Sequence, residues 1–509
     1  MHFAVLKLIA LLASASRCLA DSISIPVSES PSPSVSVPIA GNFQSFSIEF
    51  AFWADFGGNR SSPNKLTNVV LSNLRKFTNE DQILRIGGLT QDQTTYDPDL
   101  KEAIFNYWPP GDTADQPVNS TIGPAFWESF NAVEGVSYIF GLNFYKNDST
   151  WLYNLQSEVN QTLLQVPRHR IHLFELGNEN DYSAAGGFRP PTYNQVDYVN
   201  EWINKTRHIQ VPNVTDTDSL RFFAPSFCCY NVTEPQFFSP WTVWNSTYEY
   251  DRDDWIEEIS QHGYVSGVGN NPTLQEVIIS LTPHVELNIF HRENGRVYTM
   301  GETNSISGDG SYGVSDVFGS ALWLVDYALY VASQNITRIH FHQGTGYRYA
   351  SWLPVYHDGV GPLVKPPYYG NIFVARFLGT SGTRVENIDL SSDYNSAYAA
   401  FENDRLSKLA LIDLHEWNPT NGTTRPATDF VVPANSFKSA TVEFLSAPGA
   451  TYNTSITVAD YSYDYDLAQG NPVKVGKSTI TVVPRKGLFT IPLAYSEAAL
   501  VTFSAESGK

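Results

Sequence analysis

A change of hydrophobic period near Pro367 constrains this chain more than any other feature of its sequence. From about residue 45 to about residue 345, short apolar and aromatic runs alternate with longer segments of helical period, the pattern of repeated βα units around a parallel sheet. Eight runs qualify as strands: Phe46–Phe52, Ile83–Gly88, Ser137–Phe144, Ile171–Glu179, Leu220–Phe227, Glu258–Val265, Val297–Glu302 and Ile336–His342. The segments between them include helix candidates Lys65–Phe77, Trp151–Leu164, Tyr193–Ile209, Leu274–Arg292 and Asp316–Ser333. Eight such units predict an α/β fold, a (β/α)8 TIM barrel, whose functional groups project from the C-terminal ends of the strands. Beyond Pro367 the period falls to two in Ser396–Phe401, Lys408–Leu414, Ser439–Leu445, Ser455–Asp460 and Ser478–Val483, divided by Gly, Pro, Asn and Asp turns. That pattern predicts a C-terminal antiparallel β-sandwich domain. Residues 21–40 are Ser/Pro-rich with alternating Ile and Val, and read either as a strand of the sandwich or as a flexible leader. The predicted organisation is a signal peptide over 1–20, an N-terminal segment over 21–40, the barrel over 41–370 and the sandwich over 371–509.

Composition agrees with a large packed fold, since the 509 residues are 42% hydrophobic and 14% aromatic, too apolar for a disordered chain. A net charge of −20 argues against a nucleic-acid partner, because phosphate binding rests on clustered Lys and Arg. Val5–Ala13 is a short apolar run, and Cys18-Leu19-Ala20 puts small residues at −3 and −1 before Asp21, which reads as a secretory signal peptide. The run is too short to span a bilayer and no later stretch approaches twenty apolar residues, so no membrane partner is expected. Eleven Asn-x-Ser/Thr acceptors, at Asn59, Asn119, Asn147, Asn160, Asn204, Asn213, Asn231, Asn245, Asn335, Asn421 and Asn453, predict N-linked glycans on a secreted, extracellular protein. Once the signal is removed only the adjacent Cys228 and Cys229 remain, too few for a long-range disulfide framework. A vicinal disulfide and a pair of buried thiols are both open, and buried thiols are favoured.

Two glutamates stand where barrel chemistry is done. The fourth strand candidate closes on Asn178-Glu179 and the seventh on Gly301-Glu302, so both carboxyls reach the barrel mouth from strands facing each other across it. Such a pair suits cleavage of a glycosidic bond: one carboxyl holds a proton for the leaving oxygen and the other, ionised, attacks the anomeric carbon. A separation of about 5 to 5.5 Å means retention through a covalent intermediate, and about 6.5 to 9.5 Å means inversion. Glu175 lies deeper on the same strand and suits a structural hydrogen bond, while Asp92 and Asp55 are competing carboxyls near strand ends. His340 and His342 share a strand face, but a metal site needs three or four convergent ligands, so no metal is expected and the pair reads as barrel lining.

The runs Glu49-Phe50 with Asp55-Phe56-Gly57-Gly58-Asn59, Leu84-Arg85-Ile86-Gly87-Gly88, Gly177-Asn178-Glu179-Asn180-Asp181, Gly301-Glu302-Thr303-Asn304-Ser305 and His340 through Tyr349 resemble the motifs of glycoside hydrolase family 79, which contains fungal and bacterial β-glucuronidases and the heparanases. The resemblance spans the chain beyond the signal. It implies a barrel with a C-terminal sandwich, retention of configuration, no cofactor, and a glucuronic-acid-containing glycan as substrate. It assigns Glu179 as acid/base and Glu302 as nucleophile, gives Asn178 the 2-hydroxyl of the sugar, and makes Tyr264 a hydrogen-bond donor to the nucleophile. Gly346 and Tyr347 resemble the segment that binds the uronic acid carboxylate, a contact that neutral donors can make in a shielded pocket. Glu49 and Asp92 are candidates for the 3- and 4-hydroxyls. Arg348 and Lys365 could add positive charge, although strand alternation turns Arg348 away from Tyr347, and Tyr312 is a further candidate donor.

The resulting expectation is a secreted retaining exo-β-glucuronidase acting on terminal glucuronic acid or its 4-O-methyl form, with an acidic optimum. An endo-acting heparanase-like enzyme is the first alternative, disfavoured because long anionic chains call for a basic cleft and no Lys/Arg cluster falls near the barrel ends. Another retaining β-glycosidase of the same clan would have no use for Gly346 and Tyr347 as carboxylate donors. A non-catalytic carbohydrate-binding barrel has no use for both glutamates in their motif settings.

Overall fold

The computed structural model describes residues 21–209, 220–229, 238, 240–243, 250–251, 254–281, 285–420 and 423–504. The predicted signal peptide and the acceptors Asn213, Asn231, Asn245 and Asn421 lie outside the described residues. Eight parallel strands close a barrel in sequence order: β1 (Gln44–Glu49), β2 (Gln82–Gly87), β3 (Val136–Leu142), β4 (Ile171–Leu176), β5 (Phe222–Phe227), β6 (Ile256–Gly267), β7 (Val297–Ser307) and β8 (Ile339–Gln343), with β8 returning to β1. Each corresponds to one predicted run; β1 to β4 stop short of the predicted mouth end, whereas β6 runs on to Gly267 and β7 to Ser307, five residues beyond the predicted end at Glu302. Phe50–Phe52 tightens into a 3-10 turn, and β4 stops at Leu176 because Gly177 takes φ +87°.

Period-two alternation fills the barrel interior in layers. Ile83, Ile139, Leu173 and Phe223 form an apolar plug, and two residues further along β2 and β4 the same inward face carries Arg85 and Glu175. The guanidinium fits because Gly87 has no side chain: a Cβ there would stand 2.5 Å from Arg85 Nε.

Helices Lys65–Thr78, Trp151–Gln165, Gln195–His208, Phe318–Ser333 and Pro366–Leu378 cover the barrel, the last running past residue 370. The predicted helix Leu274–Arg292 is two helices, Leu274–Ile278 and Val285–Glu293; the sequence between them includes Pro283, which cannot donate a helical hydrogen bond. After β2 the chain builds a small sheet of Thr94–Tyr96, Asn119–Ile122 and Ile104–Tyr107, followed by the 3-10 helix Pro124–Asn131. The last two strands of that sheet form a hairpin whose connection carries Thr113–Gln116 over the barrel mouth.

The C-terminal region packs a large, mainly antiparallel sheet against a three-stranded one around Ile388, Phe401, Leu411, Phe430, Val442 and Ile491. Asp21–Ser24 supplies the third strand of the smaller sheet, pairing parallel with Thr428–Val431, and Ile25 enters the same core. Ion pairing of Arg376 with Glu443 (2.6 Å) and a hydrogen bond from Tyr398 to Asp326 (2.7 Å) tie the sandwich to the barrel helices.

Candidate active site

A pocket of about 770 Å³ opens at the C-terminal mouth of the barrel, lined among others by Glu49, Asn178, Glu179, Tyr264, Glu302, His342, Arg348 and Tyr349. Glu179 reaches it through a local distortion. Gly177 is left-handed and Glu179 itself has φ +51°, so the chain leaves strand geometry and turns the carboxyl over the barrel axis. Glu302 sits inside β7. One carboxylate oxygen of each, with a ring nitrogen of His262, lie within 4.8 Å of one another.

The two environments diverge. Glu302 Oε2 accepts from Arg85 Nη1 (2.5 Å), Oε1 accepts from the Tyr264 hydroxyl (2.7 Å), and His342 Nδ1 and His262 Nδ1 stand 3.6 and 4.0 Å away. Burial alone raises an acid, but His342, His262, Arg85 and the Tyr264 hydrogen bond outweigh it, and Glu302 is held well below the usual carboxylate range. Burial, joined by the neighbouring charge of Glu302, pushes Glu179 up to about 8. Its closest partner is His262 Nδ1 at 2.9 Å, and burial lowers that imidazole to about 4. A protonated acid therefore faces an ionised base across one pocket, the division that general-acid and nucleophilic roles require.

Arg85 is the hub. Fully buried, it donates to Glu175 (2.7 Å), Glu302, Asn178 Oδ1 (2.6 Å) and the Ser47 hydroxyl (2.9 Å). Its role was missed in the sequence, where the available signal was a single Arg inside the apolar run of strand two, a charge that cannot be buried without partners. His262, two residues before Tyr264 on β6, was missed as well. Glu175 serves structurally, bonding Arg85 and Ser226.

Other placements depart from expectation. Asp92 does not line the pocket: its oxygens accept the backbone N–H groups of Phe144 (2.5 Å) and Asn178 (2.7 Å), so it fixes the chain beside Glu179 rather than meeting a sugar. Gly346 and Tyr347 wall a second cavity, of about 480 Å³, between the barrel and the sandwich, together with Lys365 and Tyr312. The Tyr347 N–H is donated to Gly344 O (3.1 Å), and its hydroxyl reaches Glu49 (3.4 Å) and Gln116, both of which line the larger pocket. Arg348 faces the catalytic pocket and pairs with Asp115 at 2.6 Å, because the segment is a turn with φ +86° at Gly346 and strand alternation does not apply. Glu49 lines the pocket as expected, its carboxylate accepting from Thr90 and His342 (3.1 Å), beside Asp309, which burial raises to about 6. Asp55 accepts from the Thr345 hydroxyl (2.8 Å) and is not among the lining residues. His340 contacts Phe46 O (3.5 Å), and His342 bonds Ser47 and Glu49. Cys228 and Cys229 are not thiols: they form a vicinal disulfide at the pocket rim, half-buried, with both backbone N–H groups held by Asp181.

Residues 397–500 match the family described as the glycosyl hydrolase family 79 C-terminal beta domain. Over 546 aligned residues the chain is 36% identical to a β-glucuronidase of Aspergillus niger, covering 99% of this chain and 100% of that relative. It is 32% identical over 501 residues to a β-glucuronidase of Neurospora crassa, covering 87% and 88%. Among solved structures, a 4-O-α-L-rhamnosyl-β-D-glucuronidase of Fusarium oxysporum superposes with a TM-score of 0.76 over 94% of this chain and 100% of that one, at 22% identity, a likeness of fold.

Proposed function

The chain belongs to glycoside hydrolase family 79, and from that premise we propose that it is a secreted exo-acting β-glucuronidase that removes terminal glucuronic acid from glycans with retention, by double displacement. The observation that carries the mechanism is the pairing of a half-buried, proton-holding Glu179 with a buried, ionised Glu302, oxygens within 4.8 Å. That closeness suits direct attack by Glu302 better than the wider gap an intervening water needs. In the first step Glu302 attacks the anomeric carbon while Glu179 gives its proton to the leaving oxygen. In the second, Glu179 takes a proton from water, which displaces Glu302. Arg85 and Tyr264 hold the attacking carboxylate in place and share its charge, and Asn178, held by Arg85, is turned toward the sugar's 2-hydroxyl.

The relatives' β-glucuronidase activity and the lining of the pocket support a uronic acid over a neutral sugar. Arg348 is the lining residue with a permanent positive charge, and it stands beside the hydroxyl-bearing Tyr349 on the wall next to Glu49. Exo action is supported by the hairpin connection Thr113–Gln116 and the Asp115–Arg348 pair, which close the pocket on that side. One cation already paired with an acid is a poor cleft for a long polyanion, which weighs against the endo-acting reading. Secretion rests on the signal-like leader and on acceptors such as Asn59, Asn119, Asn147, Asn204 and Asn453, all exposed.

The test is release of chromophore from an aryl β-D-glucuronide and from the matching β-D-glucoside, by the unmodified protein and by Glu302→Gln. Turnover of the glucuronide alone, lost in the variant, is the expected result. Preference for the glucoside would overturn the uronic acid reading, and an undiminished Glu302→Gln would overturn the nucleophile.

A further inference from the structure

The pocket wall has two unlike sides. Glu49, His342, Arg348, Tyr349 and Asp309 come from β1, β8 and the end of β7, together with the chain that follows β7 and β8. Glu179, Tyr182, Cys228 and Cys229 come from the ends of β4 and β5, across the barrel from β8 and β1. If Glu179 is the acid, the leaving oxygen lies against it, and the sugar ring occupies the side of Glu49 and Arg348. The leaving group then extends over the β4–β5 edge. There, among the described residues, the wall is uncharged beyond Glu179 itself: the phenol ring of Tyr182, 40% exposed, and the bridge of the vicinal disulfide. The backbone N–H groups of Cys228 and Cys229 are donated to Asp181 at 3.1 and 2.8 Å, which turns the donors of this dipeptide into the wall. A sulfur bridge is polarizable and weakly hydrated, and with an aromatic ring beside it gives a flat surface suited to the C–H face of a pyranose or to an aryl ring.

We propose that the Cys228–Cys229 disulfide and Tyr182 form the leaving-group subsite, a platform for an aglycone that presents an apolar face; the proposal rests on the β-glucuronidase reading above. It is tested with three substrates that share the glucuronyl group: 4-nitrophenyl β-D-glucuronide, a glucuronyl-galactose disaccharide, and β-D-glucuronyl fluoride, whose leaving group is too small to reach the platform. The proteins are the unmodified chain, Tyr182→Ala and the double variant Cys228→Ser with Cys229→Ser. Both variants are expected to lose about tenfold in kcat/KM on a substrate whose leaving group uses the platform, mostly through KM, and to stay within about twofold on the fluoride. Loss on the aryl substrate alone, or on the disaccharide alone, identifies which face the platform accepts. Equal loss on all three substrates would mean that the bridge only steadies Asp181 and the acid, and would overturn the proposal, as would no loss on any. Where the double variant does not fold, judged by its thermal transition, Tyr182→Ala decides by the same outcomes. Turnover of none of the three by the unmodified protein would overturn the β-glucuronidase reading, and the platform with it.

Discussion

Arg85 is the residue on which the site's electrostatics turn. It joins Glu175, Asn178 and Glu302 in one buried network, so its loss strips charge support from the nucleophile and leaves carboxylates buried without their partner. Arg85→Met is expected to lower kcat by about 10² to 10³-fold with less change in KM, and to cost about 3 to 5 kcal/mol of stability. Steady-state kinetics and denaturant melts would check both. The pH dependence follows from the two glutamates. The proposed mechanism needs Glu179 protonated and Glu302 ionised, so kcat/KM is expected to hold across the mildly acidic range and to fall as pH rises through about 8, the value to which burial and Glu302 push Glu179. Tyr264→Phe removes a hydrogen bond that lowers Glu302, so its acid limb should move to higher pH and kcat should fall about tenfold. A pH profile of each enzyme decides. Glu179 was legible because an apolar run stops just before it at the barrel mouth, and Glu302 because a carboxyl interrupts an apolar run; the strand end read at Glu302 is absent, since β7 continues to Ser307. Arg85 was not, since pairing three residues with it requires knowing which strands face each other, and no local pattern carries that.

At the scale of elements, the placing of Glu179 depends on where a strand stops, while Glu302 and Tyr264 are carried inside strands that run on. Gly177 breaks β4 with φ +87°, and a Cβ there would run into the side-chain amide of Asn180, so the turn that aims Glu179 has no room for another residue. Gly177→Ala is expected to cost about 1 to 2 kcal/mol in stability and to cut kcat/KM more than a mere loss of stability does, measured by thermal melts beside aryl glucuronide turnover. Asp92 works on the same turn from below, through the N–H of Asn178. The eight strands and most of the helices were legible from hydrophobic period, because each element buries one face. What the period could not carry is geometry outside regular elements. After β2 a hairpin carrying Thr113–Gln116 precedes the covering 3-10 helix, where the sequence shows one short aromatic run, Ile104–Trp108, among polar residues and no helical period, and Arg348 faces the pocket because a turn, not a strand, delivers it. Adjacent cysteines likewise leave their oxidation state open until the rim of the pocket is in view.

For the whole molecule, acidity and burial combine. Besides Glu179, Asp92 and Asp181 are raised to about 7 and Glu158 to about 8, in each case by burial first. Their folded values lie above those of an unfolded chain, so between the ordinary carboxylate range and these values the folded protein binds more protons than the unfolded one. Stability from these groups is present at low pH and is lost as pH rises through about 7 to 8. Burial lowers His262, His291 and His340, which favours the higher pH, but the carboxyls raised to about 7 and 8, Glu179 among them, outnumber these. The thermal midpoint is therefore expected to be higher near pH 5 than near pH 8, and calorimetry giving the reverse order would refute it. The net charge of −20 pushes the same way, since repulsion grows as the last carboxyls ionise. The division into barrel and sandwich was legible from the change of period, whereas the destination of residues 21–40 stayed open, because pairing Asp21–Ser24 with Thr428–Val431 is a contact between opposite ends of the chain. That pairing sets an order in time. As the chain emerges during synthesis, its first strand waits while the barrel, whose strands pair with near neighbours in sequence, closes behind it. The small sheet is completed only when Thr428–Val431 arrives, after the whole barrel has been made, so this pairing acts as a late clasp that a partly synthesised chain cannot fasten.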